Sequence, residues 1–119
     1  MNRITAVIAE DEAPARKRIS SFCEGFTEIE IVGLAEDGEQ AVEIIRHKQP
    51  DLLFLDIQMP KLNGFEILEQ LEQKPMVIFS TAYDEFAIRA FEVHAMDYLL
   101  NPYSHARFKE SVQRALESN

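Results

Sequence analysis

The stretch Asp51-Leu-Leu-Phe-Leu-Asp56 holds four consecutive apolar residues between two acids. A strand that is apolar on both faces, without alternation, is typical of a parallel sheet that is covered by helices on both sides. A second run of this kind, Met76-Val-Ile-Phe79, follows later in the chain. The two runs predict buried strands of an α/β domain.

Strand-like and helix-like patterns alternate along the rest of the chain, which predicts one domain over residues 1–119. This pattern indicates a single (βα)5 fold, a doubly wound parallel five-stranded sheet of flavodoxin-like topology. The predicted strands are 4–9, 29–34, 52–55, 76–80 and 97–100. The predicted helices are one with the apolar stripe Ala15, Ile19, Phe22, Cys23 and Phe26, then 39–47, 65–72, 85–94 and 105–116.

Short polar residues stand where four of these helices are predicted to start, namely Asp37, Asn63, Asp84 and Ser104. The side-chain oxygens of such residues accept hydrogen bonds from the free backbone N–H groups of a first helical turn. We therefore predict that all four residues are helix caps.

Composition and charge limit the classes of partner. The chain has 119 residues, enough for one hydrophobic core but not for a second domain. Its 12 basic and 21 acidic side chains give a formal charge of −9, which repels nucleic-acid phosphates and anionic lipid surfaces. We expect no direct contact with DNA or membranes. A single cysteine, Cys23, and the lack of an export or membrane-spanning pattern predict a cytoplasmic location.

Polar residues that could carry chemistry follow four of the predicted strands, at Glu10-Asp11, Asp56, Ser80-Thr81-Ala82 and Asn101-Pro102. In an open parallel sheet, ligands bind beyond the carboxyl ends of the strands. These side chains are therefore expected to meet at one edge.

Asp56 is the strongest candidate, because the next predicted helix starts near Gly64, too far away for Asp56 to cap it. Asp11 leaves two interpretations open. It precedes Pro14, which suits a first helical turn, so Asp11 could complement the dipole of that helix. Its neighbour Glu10 cannot do so as readily, and the pair is better explained by a site.

Three clustered carboxylates repel one another unless a cation neutralises them. Mg2+ is the predicted cation, because it prefers oxygen ligands and combines one or two protein carboxylates with phosphate oxygens. Asp11 and Asp56 would bind it directly, and Glu10 through water. The backbone carbonyl of Gln58 would complete the protein ligands. An ionised Asp beside such a metal can attack phosphorus and form an aspartyl phosphate.

Thr81 and Ala82 follow the fourth predicted strand on the same edge. The Thr81 hydroxyl and the Ala82 backbone N–H could donate hydrogen bonds to phosphoryl oxygens. A hydroxyl at a strand end also commonly satisfies local backbone groups. The shared edge favours the phosphoryl contact.

These residues resemble the receiver domain of two-component response regulators, over essentially the whole chain. The segment from Tyr83 to Tyr98 is similar to the LytR/AlgR subgroup, whose receivers commonly precede a LytTR DNA-binding domain. The matching motifs are Ala9-Glu-Asp-Glu12, Leu55-Asp-Ile-Gln-Met-Pro60, Asn63-Gly64, Ser80-Thr-Ala82 and Ala95-Met-Asp-Tyr-Leu-Leu100.

The resemblance implies a phosphorylation-dependent signalling switch. Asp56 would accept a phosphoryl group from a sensor histidine kinase, and Mg2+ would be bound as described above. Thr81 would respond to the phosphoryl group, and Tyr98, at the family's aromatic switch position, would turn inward. That movement would reshape the surface of the fourth helix, fifth strand and fifth helix, which could also form a homodimer. For Tyr98 a half-buried sheet aromatic is the structural alternative.

The same resemblance implies that the domain is not an enzyme, beyond slow self-catalysed gain and loss of phosphate. The output domain, and with it any DNA contact, would lie outside residues 1–119. On the fourth helix, Phe86 and Arg89 are the predicted surface residues for a partner. The inner face is assigned to Ala87, Ala90, Phe91 and His94.

Asn101 departs from the family pattern, because receivers nearly always have Lys immediately before this Pro. Asn can form hydrogen bonds but contributes no charge, so phosphorylation or its coupling to Tyr98 is expected to be weakened. The Asn101-Pro102 bond is expected to be cis, as the family's Lys-Pro bond usually is. The alternative function is a phosphorylation-independent receiver that acts only as a protein-binding module.

Two enzyme or carrier classes fit less well. Mg2+-dependent phosphatases that form an aspartyl phosphate use Asp-x-Asp, whereas Asp56 is followed by Ile57-Gln58. Flavin and dinucleotide carriers of similar topology need a phosphate-binding loop after the first strand, where this chain has acids.

Overall fold

A computed structural model describes residues 3–119 and contains five strands that alternate with five helices. The strands are β1 (Ile4–Ala9), β2 (Ile29–Ala35), β3 (Leu52–Leu55), β4 (Met76–Thr81) and β5 (Asp97–Leu100). The helices are α1 (Ala13–Cys23), α2 (Gly38–Lys48), α3 (Gly64–Glu69), α4 (Ala87–Glu92) and α5 (His105–Ser118). The predicted (βα)5 fold is confirmed.

All five strands are parallel, in the order β2-β1-β3-β4-β5. The order reverses next to β1, where β2 lies on one side and β3 on the other. Ala9 is in register with Leu55, and Leu55 with Phe79, so the ends of β1, β3 and β4 are close together. This is the edge at which a doubly wound sheet binds its ligands.

Helices cover both faces of the sheet, as the continuously apolar β3 predicts. Within residues 3–119, one core cluster joins α2, α3 and α4 to one face, and a second joins α1 and α5 to the other. Phe54 of β3 is fully buried and stacks on Phe108 of α5, with ring centroids 5.4 Å apart. Burial of one such side chain contributes roughly 1.5–3 kcal/mol. The core therefore fixes β3, and with it the residue that follows β3.

Three of the four predicted caps are confirmed. Asp37 accepts a hydrogen bond from the backbone N–H of Gln40, and Ser104 accepts one from Arg107. Asn63 and Glu66 form a reciprocal capping box at the start of α3. These bonds satisfy backbone donors that a helix leaves free in its first turn.

The prediction that Asp84 caps α4 is wrong. The N-cap position of α4 is Phe86, whose side chain has no oxygen to accept a hydrogen bond. Asp84 contributes its backbone carbonyl instead, which accepts from the N–H of Ala87 at 3.3 Å. The helix is also shorter than the predicted 85–94, since it ends before His94, which has a left-handed backbone with φ of 61°.

Cys23 packs in the core and is 3% exposed, as its position in the apolar stripe predicts. Burial raises the pKa of its thiol to about 12, so the thiol stays protonated at neutral pH. None of the helices between residues 3 and 119 has the length and hydropathy that crossing a bilayer requires.

Gly38 is the point where the loop between β3 and α3 contacts α2. Its N–H donates to the carbonyl of Pro60 at 3.0 Å. A Cβ on Gly38 would lie 2.3 Å from the Cβ of Leu62 and 2.4 Å from the Leu62 carbonyl oxygen. The loop that follows Asp56 is thus held against α2 by a contact that only glycine permits.

Gly38→Ala is expected to lower the free energy of unfolding by about 2 kcal/mol, because the new methyl group overpacks this contact. Urea unfolding of the wild type and the variant measures the loss. Gly25→Ala is the matched control, because its Cβ would meet only the Phe22 carbonyl, at 3.6 Å. Equal losses in the two variants would contradict the packing argument.

Candidate functional site

Three carboxylates meet at the carboxyl edge of the sheet. Glu10 and Asp11 follow β1, and Asp56 follows β3. One carboxylate oxygen from each lies within 4.8 Å of the others. The backbone holds them there, since Asp56 N–H donates to the Ala9 carbonyl and Glu10 N–H to the Ala35 carbonyl, both at 3.0 Å. The structure therefore brings together the three acids that follow β1 and β3.

The acids are held in a poorly solvated place. Glu10 is only 3% exposed, and burial raises the pKa of its carboxyl, with a further increase from the charges of Asp56 and Asp11. Burial also raises the pKa of Asp56, although a hydrogen bond from Glu10 and the backbone N–H groups of Ile57 and Gln58 oppose the change. A bound cation would stabilise the ionised forms. Oxygen-only ligands in this number suit a hard divalent ion.

Gln58 lies in the loop between β3 and α3 and is exposed. Its backbone N–H opposes the rise that burial causes in the pKa of the Asp56 carboxyl. The backbone of this loop can therefore contribute to the same site.

Thr81 ends β4 and is 1% exposed, while Ala82, the next residue, is exposed. The Thr81 hydroxyl oxygen accepts a hydrogen bond from the N–H of Tyr83 at 3.3 Å. A hydroxyl that accepts one bond can still donate its own hydrogen to another group. Thr81 is thus a donor at the sheet edge that carries the acids.

Tyr98 is half-buried in β5, and its ring lies 6.2 Å from that of Phe79. Its hydroxyl donates a hydrogen bond to the backbone carbonyl of Tyr83. Tyr83 therefore contacts the Thr81 hydroxyl through its N–H and the Tyr98 hydroxyl through its carbonyl. Sequence reasoning missed Tyr83, and no residue-type signal could have found it, because the contacts are made by backbone atoms.

Asn101 follows β5, and its backbone N–H donates to the Thr81 carbonyl at 2.7 Å. The residue is half-buried, and its bond to Pro102 is cis, as predicted. The position that carries Lys in the family pattern is therefore on the same edge as Thr81. The Asn101 side chain supplies no charge to this edge.

The predicted faces of α4 are confirmed for Arg89 and Ala90 and are wrong for Phe86, Ala87, Phe91 and His94. Phe86 is half-buried, and its ring lies 6.3 Å from Phe65 and 6.2 Å from Tyr83, whereas Phe91 is 82% exposed. Phe86 and Ala90, four residues apart, turn towards the core, so Phe91 points outward. Arg89 and His94 are also exposed. Four exposed apolar residues lie on α4, directly after it and at the end of β5, and we call this set the α4–β5 patch: Ile88, Phe91, Val93 and Leu100.

Known proteins are similar to this chain in sequence and in fold. Residues 6–113 match the model of the response regulator receiver domain family. An uncharacterised response regulatory protein of Vibrio cholerae is 45% identical over 97% of this chain and 47% of its own length. The transcriptional regulatory protein BtsR of Escherichia coli is 42% identical over 93% of this chain and 47% of its own length.

A solved structure supports the same assignment. The response regulatory domain of protein mrkE from Klebsiella pneumoniae superposes with a TM-score of 0.87 at 35% identity, and 96% of this chain and 95% of that domain are covered. The chain spans about half the length of the curated relatives named above. By the extent of the family match and of these identities, the chain belongs to the response regulator receiver domain family.

Proposed function

We propose that this domain is a phosphorylation-dependent switch of a two-component system, with Asp56 as the phosphoacceptor. The observation that carries the proposal is the meeting of three carboxylates within 4.8 Å at the end of β3, at the edge that also carries Thr81. An acid with no role beyond solvation would lie at the surface, whereas Glu10 is almost completely buried. Perturbed acids in such a place are candidates for chemistry.

Mg2+ is the proposed cofactor. Asp11 and Asp56 would bind it directly, Glu10 through water, and the Gln58 backbone carbonyl would complete the set. The ion would neutralise the crowded carboxylates and the oxygens of an incoming phosphoryl group.

The proposed phosphodonor is the phosphohistidine of a sensor kinase. An ionised Asp56 oxygen attacks phosphorus and forms the new O–P bond, while the P–N bond breaks and its electron pair returns to the imidazole nitrogen. The Thr81 hydroxyl and the Ala82 N–H donate hydrogen bonds to the oxygens of the transferred group. The same site, with water as the attacking group, gives a slow loss of phosphate. We therefore propose that the domain is a switch, whose only reactions are the phosphorylation of Asp56 and this slow dephosphorylation.

The switch would act through Tyr83. A Thr81 hydroxyl drawn towards the phosphoryl group also carries the backbone of Tyr83, whose N–H is hydrogen-bonded to it. Tyr98 is bonded to the carbonyl of the same residue and would follow it. Because Tyr98 lies on β5, the α4–β5 patch would change with it.

We place the output outside this chain. The curated relatives are about twice as long, and one of them is described as a transcriptional regulatory protein. A LytR/AlgR-type arrangement, with a DNA-binding domain after the receiver, accounts for that length. The formal charge of −9 opposes DNA contact by the receiver itself.

Incubation with a small phosphodonor, with and without Mg2+, tests the proposal by intact mass. We expect one added phosphoryl group per chain, and only when Mg2+ is present. Mg2+ binding without any phosphoryl uptake would contradict it and favour the phosphorylation-independent binding module, which the residue Asn101 supports.

Asn101→Lys is expected to raise the rate of phosphoryl uptake about tenfold, equivalent to roughly 1.4 kcal/mol of barrier, because an ammonium group would offset charge in the acidic site. Rates of mass gain at fixed Mg2+ measure the effect. His105→Lys adds the same charge at an exposed position nearby and serves as the control. Equal rates for Asn101→Lys and the wild type would contradict the role given to this position.

The α4–β5 patch is the proposed surface for a homodimer, and phosphorylation is expected to increase association. Phe91→Glu should keep the phosphorylated domain monomeric, because it places a charge in the centre of an apolar contact. Light scattering measures the mass. Leu34→Glu, at an exposed apolar residue of the opposite edge strand, is the matched control. A phosphorylated wild type that stays monomeric would refute the dimer.

A further inference from the structure

Three hydrogen bonds hold Glu10, and one of them is made to the peptide that joins Glu10 to Asp11. The Glu10 N–H donates to the Ala35 carbonyl of β2, and the Glu10 carboxylate accepts from the N–H of Glu12 at 3.0 Å. The Glu10 carbonyl accepts a hydrogen bond of 2.7 Å from Nη1 of Arg16. This carbonyl belongs to the peptide plane between Glu10 and Asp11. The hydrogen bond from Arg16 therefore restrains the position of both acids.

Arg16 is itself fixed. Its Nη2 forms an ion pair of 3.1 Å with Glu36, which directly follows β2, and its side chain is 15% exposed. Its backbone N–H donates to the Glu12 carbonyl in the first turn of α1. The guanidinium therefore links three segments: the end of β1, the start of α1 and the end of β2. A planar fork with several donors can make such a link, whereas an ammonium is a point charge.

We infer that Arg16 is a positioning residue for the cation site, which acts by holding the Glu10–Asp11 peptide through the Glu10 carbonyl. The inference rests on the proposed function, because it needs the acids to bind Mg2+. Residues behind the ligands of a metal orient them, and the ligand geometry sets the affinity.

The test is the Mg2+ affinity of the unphosphorylated domain, measured by calorimetry. Arg16→Lys keeps the charge but loses the fork, and we expect it to weaken Mg2+ binding about tenfold. Arg18→Gln removes a charge from an exposed position on the same helix and should leave the affinity unchanged. Glu36→Gln removes the ion pair but leaves the bond to the Glu10 carbonyl, and it should weaken binding less than Arg16→Lys does.

Urea unfolding without Mg2+ separates positioning from stability, because a residue that only ties α1 to the sheet would lower stability in Arg16→Lys and leave the Mg2+ affinity intact. Wild-type affinity in a folded Arg16→Lys protein would overturn the inference, and so would an equal loss in Glu36→Gln. If Arg16→Lys does not fold, the comparison of Glu36→Gln with Arg18→Gln decides, since equal affinities would overturn the inference. A wild type that does not bind Mg2+ would refute the proposed function itself.

Discussion

Replacing Asp56 with Asn is expected to abolish phosphoryl uptake by the domain. The amide has almost the same shape as the carboxylate but carries no charge and is a far weaker nucleophile towards phosphorus. The fold should survive, because Asp56 follows β3 and its backbone bond to the Ala9 carbonyl is kept. Without Mg2+ the variant should be somewhat more stable than the wild type, since it removes one charge from a crowded, half-buried cluster.

Intact mass after incubation with phosphodonor and Mg2+ measures the uptake, and urea unfolding measures the stability. Asp84→Asn is the matched control, because Asp84 is an exposed acid near the same edge. It should take up phosphate at the wild-type rate. Phosphoryl uptake by Asp56→Asn at that rate would mean that another residue is the phosphoacceptor.

Asp97→Asn is expected to lower the free energy of unfolding by about 3 kcal/mol, because it breaks a network of charged hydrogen bonds. Asp97 begins β5, and its side chain is 9% exposed. It accepts bonds of 2.8 Å from both Nη1 and Nη2 of Arg107, and a further bond from the buried Ser111 hydroxyl. Arg114 forms a more exposed ion pair with it at 3.1 Å. The change would leave two cations of α5 without this partner.

The same network predicts how stability depends on pH. Burial alone would raise the pKa of Asp97, but the bonds from Arg107 and Ser111 outweigh it and lower the pKa to about 2. The unfolded chain has a higher pKa, near 3.9. Asp97 therefore contributes stability above about pH 4, and this contribution is lost as the pH falls towards about 2.

Unfolding free energies of the wild type and Asp97→Asn, measured between these limits, should converge as the pH falls. Arg114→Gln is the control at neutral pH, and it should cost less than about 1 kcal/mol because that pair is exposed. A difference between the wild type and Asp97→Asn that stays constant down to pH 2 would contradict the assigned role of Asp97.

Much of the fold can be predicted from the sequence, because its strongest signals are local. The four apolar residues of β3 indicate a strand covered on both faces, and the structure buries all four. Asp37, Asn63 and Ser104 were identifiable as caps because the bonds they make reach only three residues along the chain. The placement of acids at one edge follows from parallel strands alone.

The errors lie where tertiary contacts decide the outcome. In and just before α4, the apolar residues Phe86, Ile88 and Phe91 do not fall on one helix face, so their spacing could not show which of them would pack on Phe65. The bonds of Tyr98 and Arg16 to backbone carbonyls could not be predicted either, since every residue has a carbonyl and the sequence does not show which one is contacted.

The central claim is that Asp56 becomes an aspartyl phosphate, and borohydride trapping tests it most directly. Borohydride reduces an acyl phosphate to an alcohol, which turns a phosphorylated Asp into homoserine. After incubation of the wild type with phosphodonor and Mg2+, peptide mass spectrometry should find homoserine at position 56 and at no other acid. The absence of homoserine from position 56, or its appearance at Asp11 in place of Asp56, would contradict the account.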